Sequence, residues 1–389
     1  MPADQAAIAY FQSLLAAGLF GNSPAPIPDG VDMAEVYKLS KLHRVDDVVF
    51  AALSRLEQKP DFYEKWYKRH CMAISRSATQ LYEYGQLTSA LVAAGARVLP
   101  YKGIRLKAYY PEASMRYMSD IDLLYLPPDG DHGRVRAVME SLGYTTEQFD
   151  TGVHDVYHKP PIMSVELHRV IFSPDADGYL SNADYMAAAT PDENGVLQLP
   201  LPHLYLASLT HLVKHLRTDA ADLRSVIDLY LLRRAMSGEQ HAAADALIRA
   251  ASLSATDSTL QAVARHLLEG ETPDQNTLDC AQYLLCAIAD RSHADAKYLN
   301  SYRRGRGSVA AGKLRYLLHL VLPGYSYMKK AYPVLGKCPL LLPVLWPWRW
   351  LDVLLHQRGR ARKAVRRFDG LDRDAAEQEQ KILAMFGLK

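Results

Sequence analysis

Apolar residues recur at helical spacing along the first part of the chain. Ile8, Phe11, Leu14 and Leu15 share one helical face, and Val36, Leu39, Leu42 and Val45 share another. Between them, residues 21–30 carry Pro24, Pro26 and Pro28 and read as a loop. A longer periodic run over 62–94 stops at Gly95, a residue suited to ending a helix.

The period changes at Arg97. Val98-Leu99-Pro100-Tyr101 is a short apolar run, followed by Lys102-Gly103 and a helical stretch to Tyr110. After an irregular segment over 111–118, Asp120-Ile121-Asp122-Leu123-Leu124-Tyr125-Leu126 reads as a strand with its acids at the start, closed by Pro127-Pro128. Residues 133–142 predict an amphipathic helix, and 153–158 and 162–171 predict two more strands. From Leu201 onward the helical period returns, carried by Leu204, Ala207, Leu212 and Leu216 and then by Leu223, Ile227 and Leu231. The pattern is therefore α+β, with a small mixed sheet between helical regions. The expected divisions are 1–96 (helical), 97–200 (the α+β core), 201–300 (helical) and 301–389 (a basic segment containing Trp and Pro).

A length of 389 residues fits two or three subdomains, and 49% hydrophobic with 23% charged residues excludes a disordered or fibrous chain. Cys71, Cys280, Cys286 and Cys338 are too scattered for a disulfide scaffold and form no CxxC pair, so reduced thiols in a cytoplasmic protein are expected. No basic segment precedes the first apolar run, and no uninterrupted apolar stretch of about 18 residues occurs, so neither a signal peptide nor a transmembrane segment is expected. The net charge of +2 conceals an asymmetry. Residues 301–367 hold fifteen Lys/Arg and one acid, +14, which leaves −12 for the rest. Trp346, Trp348 and Trp350 lie in an apolar stretch amid these charges. Prolines 339, 343 and 347 interrupt it, so the main expectation is burial against the core. A peripheral, salt-sensitive contact of 301–367 with an anionic membrane surface or a nucleic acid is the expectation beside it.

Asp120 and Asp122, two apart in a strand, point to one face with Cα atoms about 6.5–7 Å apart, while Ile121 and Leu123 face a core. Two carboxylates held side by side repel, and a hard divalent cation relieves that repulsion. Removing either acid should then hold or raise stability without metal. Lys102-Gly103 stands between a strand and a helix, where glycine lets backbone N–H groups approach a phosphate and lysine adds charge. Arg116 could pair with the acids or a triphosphate. In Met163-Ser164-Val165-Glu166-Leu167-His168, Glu166 and His168 share a face, so Glu166 supplies a third carboxylate if that strand lies beside the first.

Together, the run from Leu99-Pro-Tyr-Lys102-Gly103 through Tyr110-Pro111 and Arg116 to Ser119-Asp120-Ile121-Asp122, with Val165-Glu166-Leu167-His168, resembles the bacterial uncharacterised nucleotidyltransferase family of the DNA polymerase β-like superfamily. Leu42-His43-Arg44-Val45 and Thr210-His211 to His215, with Arg224 and Asp228, resemble its flanking helical stretches. The resemblance implies a metal site of Asp120, Asp122 and Glu166 holding Mg²⁺ (or Mn²⁺). It also implies phosphate contacts from Lys102, Gly103, Arg116 and Ser119. The implied reaction is in-line attack by an acceptor on the α-phosphorus of an NTP, with pyrophosphate leaving. Ile104 after Gly103 departs from the wider superfamily, where Gly or Ser stands.

His211 and His215, at i and i+4, lack the intervening Glu of a zinc-protease helix; with His168 they are candidate substrate contacts. Arg224 and Asp228 have the spacing of a helix-surface ion pair. The acceptor stays open among small molecule, peptide, protein and RNA. The alternatives to an enzyme are a degenerate NTP-binding module and an adaptor that uses its basic C-terminal segment.

Overall fold

A computed structural model describes residues 5–150, 153–171, 180–218 and 221–290, with parts of 314–356 and 380–388. Four helices come first: α1 (Gln5–Phe20), α2 (Met33–Leu42), α3 (Asp46–Leu53) and the long α4 (Tyr63–Ala93). The chain turns between α2 and α3 at Arg44, whose positive φ separates two helices that the apolar spacing runs together. Helices α1 and α3 pack so closely that a Cβ on Gly18 would stand 2.0 Å from the Val48 carbonyl oxygen, so this crossing requires glycine.

A five-stranded mixed sheet follows, built from β1 (Arg97–Pro100), β2 (Ile121–Leu126), β3 (Thr145–Gln148), β4 (His154–Lys159) and β5 (Met163–His168). Its order is β1-β2-β5-β4-β3, with β2 and β5 parallel at the centre and every other pair antiparallel. The sheet buries one face. Ile121, Leu123 and Tyr125 of β2, Val165 and Leu167 of β5 and Tyr157 of β4 join Leu87 and Leu91 of α4. Val135 and Met139 of α6 (His132–Ser141) complete that layer. The alternate residues of β2, β4 and β5 point to the opposite face, and that face carries the chemistry. Strand β3 is not foreseen by the sequence, because Thr-Thr-Glu-Gln at the sheet edge has no apolar alternation to detect it by.

Between β1 and β2 lie the one-turn α5 (Gly103–Leu106) and short 3₁₀ turns. After the sheet come α7 (Asn182–Ala188), a two-residue ladder of β6 (Thr190–Pro191) with β7 (Leu197–Gln198), and the helices α8 (Leu201–Thr218), α9 (Leu223–Arg234), α10 (Gly238–Ala250), α11 (Ser254–Glu269) and α12 (Gln275–Asp290). The chain divides into two compact units: one of Met1–Val213, Ala221–Ala289 and Phe386–Leu388, the other of Lys214–Ala220 and Asp290–Met385 with Lys389.

In the second unit the helix Leu342–His356 runs through Pro347. Leu340, Val344, Trp348 and Leu351 are 88%, 66%, 63% and 50% exposed and fall on one face. Trp346 and Trp350 turn the other way, their indole N–H groups donating to the carbonyls of Pro323 (3.1 Å) and Val321 (2.7 Å). Most of the basic residues of 301–367 lie outside the described residues.

Candidate active site

The parallel pairing of β2 with β5 decides the geometry. Asp122 stands opposite Glu166 in register, and Leu124 stands opposite His168. The antiparallel pairing on the other side sets His154 of β4 opposite His168. Backbone ladders thus bring Asp122, Glu166, His168 and His154 to one patch of the opposite face, with Asp120 immediately before β2.

The side chains knit together. Lys102 Nζ lies 2.6 Å from Asp122 Oδ1, and His168 Nε2 lies 3.0 Å from the same oxygen. His168 Nε2 is also 3.2 Å from Glu166 Oε2, and His154 Nε2 is 4.0 Å from that atom. The Ser119 hydroxyl donates to Asp120 Oδ1 at 2.9 Å. The Tyr101 ring meets His168 edge-on beneath the cluster, fully buried, and its hydroxyl has no hydrogen-bond partner.

The three acids are unequal. Burial opposes ionisation of Asp122, but the Lys102 ammonium and His168 outweigh it and hold the carboxyl well below the usual range. The hydrogen bond from His168 likewise holds Glu166 down against its burial. Asp120 is pushed up, first by burial and then by the charges of Asp122 and Glu166, against the help of Ser119 and Lys102. Ser119 and Lys102 thus offset only part of the burial and repulsion acting on Asp120, which fits a cation-binding role for this donor set.

Other candidates lie elsewhere. Arg116 is buried, its Nε and Nη2 donating to Asp228 Oδ1 (3.0 Å) and Oδ2 (2.7 Å), with Nη1 on the Tyr117 carbonyl. Its charge is committed to α9 inside the fold. The expected surface pair of Arg224 with Asp228 is corrected accordingly: Arg224 pairs with Asp222 (3.1 Å) and donates to the Tyr117 carbonyl (2.9 Å). Lys107 is a second buried anchor, its ammonium donating to Ser77 and to the carbonyls of Ala113 and Arg116; burial lowers its pKa to about 8. Together these ties fix the irregular segment that delivers Asp120. A Cβ on Gly103 would stand 2.6 Å from Met118 Sδ, so any larger residue there would have to displace the flexible Met118 side chain. His211 and His215 are half-buried on α8.

His154 and Tyr101 are the site members that sequence reasoning missed. His154, Val156 and His158 alternate on one face of β4, but only the pairing with β5 shows which histidine meets Glu166.

Residues 29–268 match the family described as uncharacterised nucleotidyltransferase. The chain belongs to that family. Among solved structures, the solution structure of the antibiotic-resistance factor ANT(2'')-Ia aligns at 16% identity over 46% of this chain and 96% of its own, with a TM-score of 0.34. No curated protein matches. Among the described residues, no helix is long and apolar enough to cross a membrane.

Proposed function

We propose that the chain is a divalent-cation-dependent nucleotidyltransferase, passing a nucleoside monophosphate from an NTP to an acceptor. The observation that carries this reading is the register of Asp122 with Glu166 on adjacent parallel strands, with a third acid, Asp120, immediately before β2. Asp120, Asp122 and Glu166 would hold Mg²⁺ or Mn²⁺, which supplies neutralisation of triphosphate charge and of the departing pyrophosphate. Lys102 and Ser119, with the Gly103 backbone, would lie toward the phosphates, and Arg116 acts at a remove by holding the acid segment in place. In the transfer, an acceptor oxygen bonds to the α-phosphorus while the α–β anhydride bond breaks. The acceptor's proton passes to Glu166, and pyrophosphate leaves. Positioning and charge stabilisation supply most of the rate.

The decisive assay incubates the protein with each α-labelled NTP and Mg²⁺ and follows pyrophosphate release and label transfer, including self-labelling. Asp120→Asn should abolish turnover with the fold intact, and Asp122→Asn should abolish it at a temperature at which that less stable variant is still folded. Glu166→Gln should lower turnover far more than nucleotide affinity. Unchanged turnover in both aspartate variants would sink the assignment.

One observation favours an additional role in placement. The outward stripe of Leu340, Val344, Trp348 and Leu351 belongs to a segment whose sequence is strongly basic, the combination that suits the surface of an anionic bilayer.

A further inference from the structure

We infer that His154, Glu166 and His168 form a binding site for a borderline divalent cation of the Zn²⁺, Co²⁺ or Mn²⁺ kind, distinct in donor chemistry from the Asp120–Asp122 pair. The site shares Glu166 with the proposed transfer centre but does not depend on turnover.

The three residues each offer one ligand atom, and these atoms all lie within 4.8 Å of one another. With metal–nitrogen and metal–oxygen bonds of about 2.0–2.2 Å, adjacent tetrahedral donors stand about 3.3 Å apart. His168 Nε2 and Glu166 Oε2 are already at 3.2 Å. His154 Nε2, at 4.0 Å from the same oxygen, needs only a small turn of a half-exposed ring. The backbone fixes this arrangement: His154 and His168 are cross-strand partners in register, and Glu166 is two residues along the same strand. No loop has to close to build the site.

The donor set selects the metal. Two imidazole nitrogens and one carboxylate suit Zn²⁺, Co²⁺ or Mn²⁺, whereas Mg²⁺ demands oxygen donors and gives up water reluctantly. A ligating imidazole must be neutral with its lone pair on the bonding nitrogen. His168 Nε2 faces the carboxylates of Asp122 (3.0 Å) and Glu166 (3.2 Å), so the cation must displace the proton that bridges them, while Nδ1 of each ring, buried and without a hydrogen-bond partner among the described residues, carries the proton in the ligating form. On binding, His168 gives up its 3.0 Å contact with Asp122, while Asp122 keeps Lys102 as its counter-charge.

The test titrates the full-length, metal-free protein with Co²⁺, followed by visible d–d absorption, and with Zn²⁺, followed by calorimetry. The wild type should bind one Co²⁺ with a spectrum of mixed nitrogen and oxygen ligation. His154→Asn should weaken Co²⁺ and Zn²⁺ at least tenfold while its far-ultraviolet circular dichroism stays unchanged. His154→Cys should keep Co²⁺ and add a sulfur-to-cobalt charge-transfer band, a signature that a structural histidine would not produce. Asp120→Asn, expected to abolish transfer, should leave the Co²⁺ spectrum intact, so the two readings fail separately. No d–d band and no Zn²⁺ heat in the wild type, or equal affinity in wild type and His154→Asn, overturns the site.

Discussion

Asp120 and Asp122 look equivalent in the sequence and are opposites in the fold. Mutual repulsion predicts that removing either acid holds or raises stability without metal, but only Asp120 meets the condition. Its ionised form is disfavoured by burial and by its two acidic neighbours, so Asp120→Asn should hold or raise the melting temperature in EDTA. Asp122 is the shared partner of Lys102 and His168. Asp122→Asn strips the partly buried Lys102 ammonium of its counter-charge and should destabilise the fold by about 2–3 kcal/mol. Thermal unfolding of both variants in EDTA checks this, and equal shifts of the same sign would refute it. The sequence shows which residues carry charge, but not which of them is already neutralised. Lys102 reads equally well as a phosphate ligand or as the partner of an acid, and a single sequence holds nothing that decides between the two.

At the level of elements, α1, α4, α6, α8 and α9 and the strands β1, β2, β4 and β5 were legible from their apolar residues, whereas α2 and α3 read as one helix and α7 was not foreseen. The ties between elements were not. His43, noticed only as part of a motif, joins three helices: it follows α2, its Nδ1 accepts from the Leu223 N–H at the start of α9, and its Nε2 faces the Leu285 carbonyl in α12. That pairing requires the neutral ring with its proton on Nε2, and burial lowers its pKa to about 4. Since the unfolded ring titrates near 6.5, the unfolded chain binds more protons between those values, so stability falls as pH drops below 6.5. The loss approaches about 3 kcal/mol near pH 4. Chemical denaturation at pH 7 and pH 5 should show this slope in the wild type and a flatter one in His43→Gln. An unaltered slope in the variant would assign the acid sensitivity elsewhere. Arg116 with Asp228 teaches the same lesson: the spacing along α9 suggests Arg224 as the partner, but the fold supplies a residue from the acid segment.

On the scale of the whole molecule, charge and apolar surface gather toward the C-terminal end of the chain. The protein should sediment with anionic liposomes at low salt and be released by about 0.5 M salt, where the Debye length has shrunk to a few ångströms. Trp348→Ser should weaken that association, while neutral liposomes and RNA capture little. Liposome binding that ignores both salt and Trp348 would refute a surface role. The central strand pair has a consequence of another kind. Strands β2 and β5 run parallel, so a long crossover must close before Asp122 meets Glu166. Non-local pairings of this sort form late, after the helices and local hairpins that lower their entropic cost. During refolding, the acquisition of cation affinity therefore times the docking of β5 onto β2, and a chain stalled before that event has helices but no active site.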